Sequence, residues 1–216
     1  MILQVRRNDL QAVMSQPQTK FQFDFSGGNL ALDFANTVSF RLTDATERLI
    51  DYNHLVFFGM QSGVYSFPER LFTIAGQSPG RGKTALQRAI QFREHLYAMF
   101  SAVAENRTIP GNAMAQLNAM LQEAAQHGRV VQRNRRFVWE WMDMNNDLDS
   151  VLWPIARAAG DLLMSDEINN VRLCAAENCG WLFLDRTKNR RRRWCDMKVC
   201  GNRVKARRHY QRAKAQ

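Results

Sequence analysis

Apolar residues recur every three or four positions over much of the chain, which is the spacing of one face of an α-helix. The clearest helix is predicted to open at Thr84 and to end near Asn106. Its apolar face carries Leu86, Ile90, Leu96, Tyr97, Phe100 and Val103. A second helix is predicted over 112–126, closed by Gly128. A third follows between Leu148 and Leu163, and Pro154 marks either a kink in it or its start.

The pattern before Thr84 is weaker. Residues 1–20 have no clear period and predict a loose or weakly helical leader. Alternation of Phe21, Phe23 and Phe25 with polar residues predicts a strand. Asn29 is expected to cap a helix carrying Leu30, Phe34 and Val38. Further helices are predicted within 41–60 and over 69–75, with a loop from 76 to 82.

The loop at 76–84 resembles a phosphate-binding loop, GQSPGRGKT, but does not match its spacing. Five residues separate Gly76 from Gly82, whereas the signature needs four. The four histidines are scattered, and every cysteine lies in one cluster. These observations favour a protein that is not an enzyme.

The period changes after Gly128. Val131 and the alternating Phe137, Trp139 and Trp141 flank a polar, arginine-rich segment, which predicts a β-hairpin. The polar stretch from Ser165 to Asn170 is the predicted boundary between a front domain, 1–169, and a C-terminal module, 170–216. The fold class predicted is therefore α+β, with a mostly helical front domain, a small β-hairpin and a treble-clef-like finger.

Charge is distributed unevenly between these two parts. The net charge is +10, yet thirteen Lys and Arg residues and one acid, Asp196, lie between Arg186 and Lys214. The rest of the chain has seventeen Lys and Arg against nineteen acids. A basic tail on a slightly acidic body indicates binding to a polyanion, with a solvated charged end as the alternative.

The basic tail surrounds all four cysteines. Cys174 and Cys179 form one Cys-x4-Cys pair, Cys195 and Cys200 form another, and fifteen residues separate the pairs. Two close thiol pairs suit a tetrahedral Zn²⁺ ion, and four ligands make the site structural. The alternative is four buried free cysteines. We expect one structural Zn²⁺, whose chelation unfolds 171–216 and leaves the front domain folded.

The residues between the pairs predict the order knuckle, hairpin, helix. Trp181 and Phe183 indicate one strand, a turn follows at 187–189, and the arginine run with Trp194 is the expected return strand. The last helix is predicted from Arg203 to about Ala213, with Ala206, Tyr210 and Ala213 packed on the knuckles and Asn202 capping the helix or fixing the knuckle.

Two motifs resemble a known family. Arg193-Trp194-Cys195-Asp196-Met197 and Cys200-Gly201-Asn202-Arg203 resemble the CGNR zinc finger, and the first pair, from Cys174 to Asp185, also fits. Leu30 to Thr37, LALDFANT, resembles the motif of that family's amino-terminal ABATE domain. The resemblance implies a bacterial, stress-linked transcription regulator that binds DNA.

We expect duplex DNA to be the partner of the finger, through salt-sensitive contacts to phosphates. The candidate contacts are Arg190, Arg191, Arg192, Arg193, Arg203, Lys205, Arg207, Arg208 and Arg212. RNA is an alternative, because Trp181, Phe183 and Trp194 can stack on bases. A zinc-stabilised adaptor that binds an acidic protein is another.

Four polar residues on otherwise apolar helices mark a candidate ligand pocket in the front domain: Asp33, Asn36, Arg93 and Glu94. They can hold a small-molecule effector, but a buried ion-pair and capping network is favoured. The chain lacks an apolar window of about 18 residues and a signal-peptide pattern, which predicts a cytoplasmic protein with no membrane contact. The sequence is also compatible with a homodimer.

Overall fold

Residues 21–66 and 68–214 are described by the structure, a computed structural model. The leader predicted over 1–20 lies outside the described residues. The helices are α1 Leu30–Ala35, α2 Tyr52–Gln61, α3 Glu69–Gln77, α4 Pro79–Ala104, α5 Gly111–His127, α6 Leu152–Met164 and α7 Asn202–Lys214. A short 3₁₀ helix, Asp166–Asn170, connects α6 to the finger, and a π-helical turn, Met197–Gly201, leads into α7.

Three antiparallel pairs of strands complete the fold. They are β1 Val38–Ser39 with β2 Thr46–Glu47, β3 Gly128–Arg133 with β4 Arg136–Trp141, and β5 Val171–Leu173 with β6 Leu182–Leu184. The mostly helical front part, the small hairpin and the zinc-finger-like end therefore confirm the predicted fold class. Among the described residues, no helix is both long and apolar enough to span a membrane.

The core of the front part forms where α1 and α5 each pack against α4 and α6. Phe34, Phe100 and Trp153 are fully buried there. Phe34 and Phe100 lie on the periodic faces that predict their helices. The finger adds Val171, Leu182 and Leu184 to this same core.

The predicted strand at 21–25 is wrong. Phe23 is buried and its polar neighbours are exposed, as the alternation requires, but no strand within 21–66 or 68–214 pairs with this segment. Instead, the Gln61 side chain accepts a hydrogen bond from the Phe23 N–H and donates one to the Phe21 carbonyl. A side-chain amide thus replaces a neighbouring strand.

Three boundaries near the front also differ from prediction. α1 ends at Ala35, so Val38 lies in β1 rather than in the helix. The segment from 41 to 51 is not helical, because Asp51 caps α2 by accepting a hydrogen bond from the His54 N–H at 3.0 Å. The predicted loop over 76–82 is mostly helical, since Pro79 starts α4 directly after Ser78. Proline suits the first helical turn, where its missing N–H has no intrahelical partner.

The hairpin β3–β4 and the start of α6 agree with prediction. Asn134 and Arg135 have φ values of 50° and 63°, so they form the tight turn that suits the twist of a two-stranded hairpin. Pro154 lies in the first turn of α6, which begins at Leu152, so the proline marks the start of the helix.

Candidate metal centre and basic surface

The first cysteine pair is held by a turn that follows β5. The Cys174 N–H donates to the Trp181 carbonyl at 2.8 Å, which continues the pairing of β5 with β6. The Cys179 N–H closes the turn on the Ala176 carbonyl at 3.0 Å. Gly180 then reverses the chain with a φ of 68°, a conformation that favours glycine.

The second pair brackets the entry into the last helix. The Asp196 side chain accepts a hydrogen bond from the Val199 N–H at 2.8 Å and caps the turn that leads into α7. Asn202 is exposed inside the helix, so the predicted capping role belongs to Asp196. An acidic residue just before a helical run is a common start signal, and it marks Asp196 in the sequence.

The four thiols converge on one point. Their sulfur atoms all lie within 4.8 Å of one another, and all four cysteines are buried and free of disulfides. The Sγ atom of Cys195 lies 3.7 Å from the Sγ atom of Cys179 and 3.6 Å from that of Cys200. A zinc tetrahedron with Zn–S bonds of about 2.3 Å has edges of about 3.8 Å. The donor set and its spacing therefore fit one structural Zn²⁺.

The close approach of the thiols also shifts their pKa values in opposite directions. Hydrogen bonds from Cys179 and Cys195 lower the pKa of Cys174, and hydrogen bonds to Cys174 and Cys179 raise the pKa of Cys195. One thiolate is thus favoured at the cost of its neighbours. Four thiolates at neutral pH need a divalent ion between them, which makes metal binding release protons.

The predicted return strand through the arginine run is wrong, since residues 190–194 form no strand and β6 pairs with β5 instead. Asp185 organises this segment instead. Its buried carboxylate accepts hydrogen bonds from the Arg192 N–H at 2.8 Å and from the Thr187 hydroxyl at 2.6 Å. The chain after β6 therefore folds around one acid rather than along a second strand.

Arg192 points inward from this loop. Its guanidinium lies 4.6 Å from the Phe183 ring centroid and donates to the Trp194 carbonyl at 2.9 Å and to the Cys195 carbonyl. The arginine thus fastens the second knuckle. Its neighbours differ, since Arg190, Arg191 and Arg193 are all exposed.

The candidate nucleic-acid contacts on α7 fall into two groups. Lys205 and Arg212 are exposed. Arg203 lies 5.2 Å from the Phe40 ring centroid, and Arg207 pairs with Glu177 at 2.5 Å. The side chain of Arg208 lies outside the described part of the chain.

The predicted apolar stripe on α7 is wrong. Ala206, Tyr210 and Ala213 are exposed, whereas Val204 packs against the cysteine cluster. The apolar contact of α7 with the cysteine cluster is thus made by its first turn, and the second turn adds the ion pair of Arg207 with Glu177.

The structure brings the front part and the finger together through backbone groups. The Asn36 side chain donates to the Leu182 carbonyl and accepts from the Leu182 N–H, both at 2.8 Å. The Leu184 N–H donates to the Gly27 carbonyl at 2.9 Å, and the Trp181 indole donates to the Val38 carbonyl at 2.7 Å. Asn36 thus pairs with β6 as a neighbouring strand would. We call these contacts the clasp.

Asp33 lies beside the clasp. Its buried carboxylate accepts a hydrogen bond from the Gly27 N–H at 2.8 Å. Burial raises the pKa of Asp33 to about 7, the Gly27 hydrogen bond lowers it, and the nearby charge of Asp24 raises it. A Cβ at Gly27 would lie 2.7 Å from the Asp33 oxygen, so the close approach requires glycine.

The other two candidate pocket residues are engaged in ion pairs. Arg93 is 3% exposed and donates to the Glu47 carboxylate at 2.6 and 2.8 Å. Glu94 pairs with Arg41 at 2.6 Å. Burial raises the pKa of Glu94, but the hydrogen bonds and charge of Arg41 lower it overall. Sequence spacing alone did not indicate the partners Glu47 and Arg41.

Two family models match the chain. Residues 28–166 match ABATE, described as "Putative stress-induced transcription regulator", and residues 170–213 match the CGNR zinc finger. A comparison with curated proteins finds no match. The matched ranges confirm the resemblance carried by the LALDFANT and CGNR motifs.

Proposed function

Because the chain belongs to the ABATE family and ends in a CGNR zinc finger, we propose that it is a transcription regulator that binds duplex DNA through the finger. In this role Zn²⁺ is structural and the protein performs no catalysis. The proposal extends over 170–216 as the DNA-binding module and 1–169 as the regulatory part.

The observation that carries the proposal is the set of exposed cations around the metal centre. Arg190, Arg191 and Arg193 lie on the loop before the second knuckle, and Lys205 and Arg212 lie on α7. None of these five takes part in an ion pair among the described side chains. Binding a phosphate would therefore break no internal pair, and counterion release would favour it.

The remaining candidates have a different part in this proposal. Arg192 fastens the knuckle, and Arg203 and Arg207 brace α7 against Phe40 and Glu177. They hold the contact surface in place and are secondary contacts at most.

RNA recognition by base stacking is less well supported. Phe183 is fully buried, and Trp181 and Trp194 pack against the cysteine cluster, with the Trp181 indole N–H engaged by Val38. Stacking on bases needs exposed ring faces. These aromatic residues suit a small core better.

In the proposed regulatory front part, the four candidate pocket residues have structural roles. Asn36 belongs to the clasp, and Asp33, Arg93 and Glu94 have protein partners. We propose that they hold the finger and the front part in register. A thermal-shift screen tests the alternative that these residues form a ligand pocket. A compound that raises the melting temperature of the wild-type chain, but not of variants at these residues, would support the pocket.

The test of DNA binding is a salt series with a labelled random-sequence duplex, measured by fluorescence anisotropy on the full chain with zinc. We expect Arg191→Ala/Arg193→Ala to reduce the slope of log K against log salt by about 1.8, because each phosphate contact contributes about 0.9. Arg81→Ala/Lys83→Ala is the matched control, since it removes the same charge from exposed positions on α4.

Two results contradict the proposal. A double variant whose slope equals that of the control excludes these arginines as phosphate contacts. Absence of binding to the duplex in low salt rejects DNA as the partner. Parallel titrations with random RNA and with an acidic peptide then separate the RNA-binding and adaptor alternatives.

A further inference from the structure

The hairpin β3–β4 is anchored at its base and exposed at its tip. Trp141, at the base, packs against the front core, where its ring centroid lies 6.4 Å from that of Trp153. Toward the tip, Val130 is 61% exposed and Phe137 is 74% exposed. The pairing register places Val130, Phe137, Trp139 and Trp141 on one face. An aromatic face therefore runs from the core into solvent.

The hairpin is basic on a body that is otherwise acidic. Residues 128–141 contain four arginines and one acid, Glu140. The remainder of the chain before Arg186 has thirteen Lys and Arg against eighteen acids. The positive charge of the hairpin thus contrasts with the acidic remainder of the chain before Arg186.

Two of the four arginines share one carboxylate within the hairpin. Arg129 and Arg133 both donate to the Glu140 carboxylate, on the face opposite the aromatic residues. Arg135 lies in the turn, and Arg136 begins β4 opposite Arg133, on the face away from Phe137; both arginines are exposed. Among the described ion pairs, neither has a carboxylate partner. The left-handed φ values of Asn134 and Arg135 fix the tight turn that presents these two cations.

From this arrangement we infer that the tip of the hairpin is a second DNA contact, in which Arg135 and Arg136 bind phosphates and Phe137 rests against a sugar or base edge. The inference rests on the proposed function, because it adds a contact to the same partner. Charge complementarity favours DNA, since two unpaired guanidiniums at the tip match a phosphate backbone, and the exposed ring that follows them along β4 suits an apolar sugar or base edge. The front part then contributes to affinity as well as to regulation.

The test again uses the full chain with zinc and the random duplex across a salt series. Arg135→Ala/Arg136→Ala is expected to reduce the slope of log K against log salt by about 1.8, corresponding to two phosphate contacts. Phe137→Ala is expected to weaken binding at every salt concentration with an unchanged slope, because its contact is apolar. Arg81→Ala/Lys83→Ala serves as the charge-matched control. All of these positions are exposed, and the folding of each variant is to be checked by its zinc content and far-UV circular dichroism.

The outcomes separate this inference from the proposed function. If the wild-type chain binds DNA and the hairpin variant has the slope of the control, the second contact is rejected and binding through the finger stands. If the wild-type chain binds no DNA in low salt, both are rejected. If Phe137→Ala changes the sedimentation coefficient while Arg135→Ala/Arg136→Ala leaves the slope unchanged, the hairpin binds a second copy of the chain and the inference is overturned.

Discussion

The front core and the finger core are closed by different forces. The front core buries large apolar side chains such as Phe34, Phe100 and Trp153 from several helices. The buried cluster of the finger contains Ala176, Phe183 and the four cysteines. Apolar burial scales with area, so the larger core is stable through hydrophobic contact. So small a cluster needs the metal, and the two regions should therefore respond to different perturbations.

The largest effect should come from removing the metal ligands. Cys195→Ser/Cys200→Ser is expected to abolish zinc binding, because half of the tetrahedron is lost. Structural zinc contributes about 10–16 kcal/mol of apparent binding free energy, so the finger should unfold. Zinc content by mass spectrometry and limited proteolysis of 174–214 measure this outcome.

The matched control perturbs the other core. Phe100→Ala should lower the free energy of unfolding of the front part by about 3–5 kcal/mol through a cavity, and it should leave one zinc per chain. If the serine variant keeps its zinc, or if Phe100→Ala loses it while folded, the division between the two cores is wrong.

The next effect concerns pH. The folded state holds the pKa of Asp33 at about 7, above its ordinary value of 3.8, so folding favours the protonated carboxyl. The stabilisation is complete below about pH 4 and is lost as pH rises to about 7, with a total change of up to about 4 kcal/mol. Urea unfolding at pH 5 and pH 8 should show lower stability at pH 8.

Asp33→Asn separates this carboxyl from the others. The amide keeps an oxygen that can accept from the Gly27 N–H but does not titrate, so the difference between the two pH values should shrink. Asp44→Asn changes an exposed carboxyl and should leave the difference as it is in the wild type. An unchanged pH dependence in Asp33→Asn contradicts the assignment.

The smallest predicted effect concerns the clasp. Asn36→Ala leaves the buried Leu182 N–H and carbonyl without their partners, and it should lower the free energy of unfolding by about 1–3 kcal/mol. Hydrogen exchange at the Leu182 amide should accelerate, while one zinc per chain is retained. Asn118→Ala, at an exposed position on α5, is the control. Equal protection of Leu182 in both variants would exclude Asn36 as its partner.

Sequence patterns predicted what depends on local spacing. The periodic faces of α4 and α5 gave helices because one stripe of each faces the core. The two Cys-x4-Cys pairs gave the metal site because short knuckles place two thiols side by side. The apolar residues on either side of the arginine-rich segment predicted the hairpin, whose turn is formed by Asn134 and Arg135.

The predictions that were wrong depended on distant partners. Burial does alternate along residues 21–25 as predicted. The backbone groups of Phe21 and Phe23, however, are hydrogen-bonded to the side chain of Gln61, about forty positions away, rather than to a strand. A return strand was expected through the arginine run, but Asp185 captures the Arg192 N–H, and of the four arginines only Arg192 points inward. The clasp joins Asn36 to Leu182 across most of the chain, and no spacing rule reaches that far.

Strand β6 has two faces that serve two different interiors. Leu182 and Leu184 belong to the front core, and Phe183 belongs to the cysteine cluster. Side chains alternate along a strand, so the insertion of one residue before Leu182 would exchange the faces. Both leucines would then turn toward the metal centre and Phe183 toward the helices. Because both cores share this strand, a shift in its register changes both of them at once. An insertion or deletion in β6 therefore cannot be accommodated by one core alone.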